Sequence, residues 1–447
     1  MNCRFYALVA MVVGSSVHAA ETPNLDEMWR LLQAQQQKIQ ALETDLRAAQ
    51  AELGLAQATL TDTRQQIAHT DAKIEATADE LEASKSQSAS ASGWADRTQV
   101  GGYAELHYNN LDDDAVIADG TANDLDQVDF HRFVIMLSHQ FNDRIRFASE
   151  LEVEHAVLES ADDSPGEVAL EQAWVELDLS SKHHLKAGLD LVPIGIINGT
   201  HEPPTFYGVE RNPVELEIIP TTWSEAAAGI HGEIGAGFSY DAFVHTGLNV
   251  PTTGGSAFRP RSGRQHVAEA EDQAAAITAR LKYTGIPGLE LASSLHYEND
   301  YTGSADGADP SAYLAEVHGD WRHANGIGLR ALYAHWHLES DRAHGIDPEL
   351  VGADNLGGWY LEPSYRFPLP EMALGELGMF ARYSQWEQRN GLDGPTYRFA
   401  TFDRTNVGFN YWPHPRLVFK FDAQWESADA AVATELDGFN LGVGLQF

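Results

Sequence analysis

The sequence predicts an all-β transmembrane barrel of about sixteen antiparallel strands, preceded by an N-terminal α-helical coiled coil. Short segments between Gln99 and Phe447 alternate apolar and polar residues with period two. Their number is even, as in single-chain transmembrane barrels. Ahead of them, an apolar residue recurs every seventh position without a break.

The 447-residue chain starts with a pattern of export. Arg4, the apolar run Phe5 to Val13 and Val17-His18-Ala19 form a charged region, a core and a small-residue cleavage site. Residues 1–19 are therefore read as a signal peptide. The run is shorter than the roughly 20 residues that span a bilayer as a helix, and no lipobox precedes Cys3. Cys3 is the single cysteine, so no disulfide is expected after cleavage.

Residues 24–85 carry the heptads. Leu25, Leu32, Ile39, Leu46, Leu53, Leu60, Ile67, Ile74 and Leu81 form one seam, and no proline interrupts it. The second seam, Met28, Gln35, Leu42, Ala49, Ala56, Thr63, Thr70, Thr77 and Ser84, loses apolar character downstream and leaves the oligomer number open. A lone amphipathic helix lying on the barrel mouth is the alternative to self-association. Residues 86–98 read as a flexible linker, on the strength of the Ser- and Ala-rich run from Ser84 to Gly93.

The barrel domain is expected over 99–447, with strands near 100–109, 127–140, 144–156, 166–179, 184–192, 223–234, 238–248, 273–284, 289–299, 311–322, 327–338, 357–367, 377–388, 402–412, 416–426 and 437–447. Within 416–426, for example, Leu417, Phe419, Phe421, Ala423 and Trp425 face one way, and Lys420, Asp422 and Glu426 the other. Tight turns such as Asn142-Asp143 alternate with long connections such as 249–270, the asymmetry of an outer-membrane barrel. A soluble β-sandwich would alternate too, burying its apolar face against a second sheet. The export signal and the final segment, where Phe439, Leu441, Val443, Leu445 and Phe447 share a face, favour the barrel. Phe447 is read as an assembly signal for the outer-membrane insertion machinery. Tyr108, Tyr283, Tyr297, Trp321, Trp336, Trp359, Tyr411, Trp412 and Trp425 are expected to form interfacial girdles.

Gly101-Gly102-Tyr103-Ala104-Glu105-Leu106-His107-Tyr108, Asp129-Phe130-His131-Arg132-Phe133, Phe141-Asn142-Asp143-Arg144-Ile145-Arg146-Phe147 and the stretch Thr200 to Pro213 resemble the porin O and P type of trimeric porins. The resemblance runs from about residue 100 to the end. It implies a sixteen-stranded homotrimeric barrel with one loop folded inward. Well-known members pass phosphate through arginines and lysines. This chain departs from them, with only Lys182, Lys186, Lys282 and Lys420 past residue 100.

The formal charge of −37 falls mostly past residue 90 and argues against nucleic-acid binding. The proline-bearing segment 193–222 is read as the constriction, with His201, Glu202, Tyr207, Glu210 and Arg211 as its filter. A surface loop packed on the rim is the other reading. Candidate pore-lining residues are Arg146, Glu150, Glu152, Glu154, Glu176 and Asp178 early, and Arg280, Lys282, Arg330, Arg366, Arg382, Arg404, Lys420 and Asp422 late. Acidic strands early and basic strands late would set up a transverse field, or simply ion-pair and stiffen the wall. His107, His131, His231, His245, His296 and His318 fall on polar faces, yet no metal-ligand spacing occurs, so no metal and no cofactor are expected. Some of them could titrate and lower conductance as pH falls. No nucleophile elbow, phosphate loop or dinucleotide fingerprint is present, which argues against an enzyme.

These readings lead to an outer-membrane porin of a Gram-negative bacterium, with passive diffusion of small hydrophilic solutes through an acidic, cation-favouring pore. Expected partners are outer-membrane lipids and lipopolysaccharide, with cell-wall contact through a periplasmic coil. An anion-selective channel and a nonconducting barrel anchor are the alternatives.

Overall fold

The computed structural model describes residues 93–447, except for 116–123, 157–165, 268–269, 271–274, 304–306, 371–373, 393–396 and 433. Upstream it describes only Trp29, Gln33, Gln36, Lys38, Gln40 and Gln50, each helical. The signal peptide, the seam residues of the coiled coil and linker residues 86–92 lie outside the described residues. The chain divides into two units at Ser92, and the second unit is the barrel. Trp94–Arg97 form a 3-10 turn that leads into the first strand.

Sixteen strands close on themselves: β1 (Thr98–Asp113), β2 (Leu125–Asn142), β3 (Ile145–Glu154), β4 (Val168–Asp178), β5 (His183–Leu191), β6 (Ser224–Gly235), β7 (Phe238–Thr246), β8 (Ala275–Ile286), β9 (Leu289–Glu298), β10 (Ala312–Arg322), β11 (Ile327–Leu338), β12 (Asn355–Pro368), β13 (Glu376–Arg389), β14 (Phe399–His414), β15 (Leu417–Ala428) and β16 (Leu436–Gln446). Each pairs antiparallel with its chain neighbours, and β1 pairs with β16 to complete the ring. Closure leaves no edge strand, the condition for a sheet to cross hydrocarbon. Count and order are those read from the sequence.

Alternation sets the two faces. In β11, Arg330, Leu332, Ala334, Trp336 and Leu338 are buried on the inside, while Leu329 and Tyr333 are exposed outside. The outside continues around the barrel through Val128, Leu151, Val175, Leu281, Leu295, Val317, Leu361, Val407, Phe419 and Leu441, all exposed. An apolar belt of that extent is unfavourable in water and favourable against lipid. Turns such as 143–144, 236–237, 287–288 and 415–416 lie at one end with both barrel termini; the long connections lie at the other.

Two expected girdle residues do not belong to a girdle. Trp336 and Trp412 are 0% and 3% exposed, because their parity in β11 and β14 points them inward. Their indoles donate to the backbone oxygens of Ile218 and Pro204. The segments 192–223, 247–274, 299–311 and 339–354 contribute to an apolar core inside the barrel: Ile194, Val214, Ile218, Ile219 and Trp223 pack with Leu248, Val250, Phe258, Tyr301 and Ile346 against Leu314, Leu332, Trp336, Tyr360 and Trp386.

Val317 is mid-strand on the outer face, 52% exposed, opposite Ser293 and Tyr333. Val317→Arg should cost about 2–4 kcal/mol in lipid vesicles, the range for a cation at the bilayer midplane, read by equilibrium unfolding. A neutral effect would place this face away from lipid.

Candidate functional site

Segment 192–223 joins β5 to β6 and touches inward-facing residues of strands far around the ring. The Arg132 guanidinium (β2) donates to the His201 carbonyl at 2.7 Å. Asn410 (β14) donates to Phe206 O at 2.9 Å, Arg382 (β13) to Tyr207 O at 3.2 Å, and the Val209 amide to Asp422 (β15) at 2.7 Å. Asn109 (β1) donates to Glu210 at 3.0 Å. The segment is thus a strap across the barrel interior. Wall glycines admit it: a Cβ on Gly358 would lie 2.9 Å from Ile218, one on Gly378 2.6 Å from the Tyr207 hydroxyl, and one on Gly442 3.1 Å from Val209.

Glu215 locks the strap to itself and to the wall. Its carboxylate is fully buried and accepts the Ile196 and Ile197 amides at 2.8 and 2.6 Å and the Tyr360 hydroxyl (β12) at 2.6 Å. One side chain therefore joins the start of the strap, its helical turn at Val214–Ile218 and β12. Burial raises its pKa above the ordinary carboxylate range, against the Tyr360 hydroxyl, the Ile197 amide and the positive charge of Arg330, which lower it.

A cavity of about 490 Å³ opens at the loop end of the barrel. It is lined by Asp129, Glu152, Glu154, Glu167, Glu171 and Glu210 together with Arg132, Arg211, Arg261, Arg264 and Arg404. Arg404 is paired with Glu426 at 2.7 Å. Arg211, Arg261 and Arg264 have no carboxylate within ion-pair distance among the described residues; Arg211 donates weakly to Thr222, Arg261 to Thr221 O and Arg264 to Thr222 O. Burial, then the neighbouring Arg264 and Arg211, pushes Arg261 down to about 9. A second cavity of about 540 Å³ lies at the turn end, lined by Tyr207, Asp320, Arg330, Glu362, Arg366 and Glu376 among others.

The expected filter residues separate into distinct settings. His201 is 3% exposed beneath Glu150 and Glu171, and half-buried Glu202 lines with it a cavity other than the loop-end one. Tyr207 stacks on Phe380 at 5.2 Å. Only Glu210 and Arg211 face the loop-end cavity. Sitting deep in the barrel would raise the Glu210 carboxyl, but the His107 imidazole beside it prevails and holds it at about 2.

The late basic residues are mostly locally neutralised. Arg280 meets Asp241 at 2.9 Å, Lys282 meets Glu290 at 3.5 Å, Arg330 meets Asp320 at 2.9 Å, Arg366 meets Glu376 at 2.5 Å and Arg382 meets Glu362 at 3.1 Å. Among the early residues, Arg146 pairs with both Glu176 and Asp178. Lys420 differs, its ammonium lying 3.5 Å from the Phe206 ring centroid. The charge left without local pairs therefore gathers at the loop end, on loop arginines and the carboxylates of β2–β4, rather than setting late strands against early ones. Sequence reading missed Arg261, Arg264, Glu171 and Glu215. Glu171 breaks the alternation: a bulge between Leu170 and Gln172 turns both Glu171 and Gln172 inward.

No family model matches the chain. A protein of Aquifex aeolicus (strain VF5), described as an uncharacterized protein, is 31% identical over 341 residues, covering 72% of this chain and 74% of that one. The chain belongs to the same family. Among solved structures, the anion-selective porin from Comamonas acidovorans matches 78% of the chain and 99% of its own length, at 11% identity and a TM-score of 0.51. Salmonella typhi OmpF, solved with daunomycin, matches 78% and 97% at 13% identity and a TM-score of 0.50. The fold is that of outer-membrane porins.

Glu215→Gln would turn an amide NH2 toward one of the donors its carboxylate now accepts. The substitution should cost about 1–3 kcal/mol, the penalty for an unmatched buried polar group, measured by unfolding of the purified protein. Unchanged stability would mean that the strap is held without this carboxylate.

Proposed function

We propose that the chain is an outer-membrane porin that lets small hydrophilic solutes or ions diffuse passively, with access governed by the strap at 192–223 and by the charged cavity at the loop end. The observation that carries this is the pairing of an apolar outer belt with charged cavities at both ends of a closed barrel. The net acidity of the chain and the carboxylates of β2–β4 at the mouth favour cations. In this reading Phe447, whose backbone pairs with Gly102 and whose ring stacks on Phe133, marks the strand that the insertion machinery recognises. The chain assembles as a homotrimer among lipids and lipopolysaccharide, with residues 24–85 in the periplasm as a coiled coil that can reach the cell wall.

The apolar core formed inside the barrel by 192–223 and three other loops gives a specific reason to keep the anchor reading, in which the barrel conducts nothing. Arg211, Arg261 and Arg264, which have no ion pair among the described residues, do the same for anion selectivity.

Planar-bilayer recordings across a KCl gradient separate the three. The proposal expects discrete conductance with a cation-favouring reversal potential that phosphate leaves unchanged. An anion-favouring potential would transfer selectivity to the arginines. Silence from well-folded protein would leave the anchor.

A further inference from the structure

Beneath the strap lies a buried group of side chains with no place in the diffusion reading. Glu150 (β3), Glu171 (β4) and His201 (strap) are 1%, 5% and 3% exposed, and one donor atom from each lies within 4.8 Å of the others. Glu152 and Glu105 are buried beside them. Arg132 pairs with Glu105 at 2.5 Å and approaches Glu152 at 3.8 Å, His107 lies 3.3 Å from Glu105, and Arg211 stands nearby without an ion pair among the described residues. Glu150 accepts from the Tyr103 hydroxyl at 2.9 Å and the Gln172 amide at 2.5 Å, and the His201 imidazole stands farther off at 3.4 Å. Glu171 Oε1 accepts from the Thr222 hydroxyl at 2.6 Å. Its other oxygen, Oε2, is buried and has no hydrogen-bond partner among the described residues. Leaving a buried carboxylate oxygen without a partner is costly.

We infer that Glu150, Glu171 and His201 hold a divalent transition-metal ion, of the zinc or manganese class, which bolts the strap to β3 and β4. The distances decide against simple hydrogen bonds. A charge-assisted N–H···O bond runs about 2.7–2.9 Å. Here His201 Nε2 stands 3.4 Å from Glu150 Oε1 and 3.7 Å from Glu171 Oε2. Two ligand atoms at about 2.0–2.2 Å from a tetrahedral zinc are roughly 3.4 Å apart. The outer contacts also fit. His201 Nδ1 lies 3.3 Å from the Asn198 carbonyl, so a proton there leaves the Nε2 lone pair aimed at the carboxylates. Tyr103, Gln172 and Thr222 fix the two carboxylates in the same way.

The bulge at Glu171 belongs to the same arrangement, since regular pairing would have sent that side chain to lipid. One imidazole and two carboxylates suit zinc or manganese more than calcium, which takes six to eight oxygens. This departs from the sequence expectation of no metal, and for an identifiable reason. The ligands are scattered over 51 positions, from Glu150 to His201, with no short spacing. The similar trio Glu176, Asp178 and His184 is already satisfied: Arg146 pairs with both carboxylates, and His184 bonds Asp178 at 2.6 Å.

The test uses the full, folded protein in detergent, stripped with chelator and titrated with Zn²⁺. One ion per chain should bind with a dissociation constant below the micromolar range and raise the melting temperature. Glu171→Gln and His201→Ala should each weaken it by more than about 100-fold, beyond what outer-contact changes alone cost, while His184→Ala should leave it intact. Zinc X-ray absorption on the wild-type protein covers the case of a variant that does not fold; it should show one imidazole and otherwise oxygen ligands. Absence of stoichiometric uptake of either Zn²⁺ or Mn²⁺, binding that depends on His184 instead, or a shell with two or more imidazoles would each overturn the assignment. None of these readouts involves current, so they stand or fall apart from the porin proposal.

Discussion

The architecture depends on how the strap at 192–223 is held inside a closed barrel. A chain that enters a lumen must satisfy its backbone groups there, within itself or from the wall. The strap does both: its own turns pair much of its backbone, and Arg132, Arg382, Asn410, Trp412 and Asp422 supply side-chain partners from strands across the ring. Glu215 then ties the strap's two halves together. The inward charges of β13 to β15 thus divide into groups that hold backbone and groups that pair with each other, which is why few of them are free to face solvent.

That division changes how an acidic lumen is understood. Counting carboxylates on inward faces gives a negative pore, but the pairs Arg280–Asp241, Arg330–Asp320 and Arg382–Glu362 cancel locally. Surplus charge remains on the carboxylates of β3 and β4 beneath and beside the strap and on Arg211, Arg261 and Arg264, all of them at the loop-end cavity or beneath the strap. Selectivity is then a property of the mouth and the strap, more than of the wall as a whole.

The barrel was legible because period-two alternation is a local signal: each strand reports its own lipid face, and sixteen such reports fix count and order. The strap was legible as a long proline-bearing connection, and the wall glycines that receive it, Gly442 and Gly444, already stood on the inner parity of the last strand. What could not be read was which side chains meet. Trp336 and Trp412 look like interfacial aromatics until their parity is compared with Arg330 and Asn410 on the same strands. Glu171 was invisible because a bulge reverses its face, and no spacing announces a bulge. Glu215 and Arg261 sit in irregular segments, where position follows from tertiary contacts alone.

The central claim is that the strap crosses to the far wall and is fixed there. The most direct test is a disulfide between Val209→Cys and Gly442→Cys, with Cys3 replaced by serine to leave no competing thiol. A Cβ at 442 lies 3.1 Å from a Val209 methyl, within reach of the roughly 3.5–4.5 Å between Cβ atoms that a disulfide needs. The account predicts near-complete closure in the folded barrel under mild oxidant, read by mass spectrometry of the linked peptides. Free thiols at both positions in folded protein would show that the strap lies elsewhere and would contradict it.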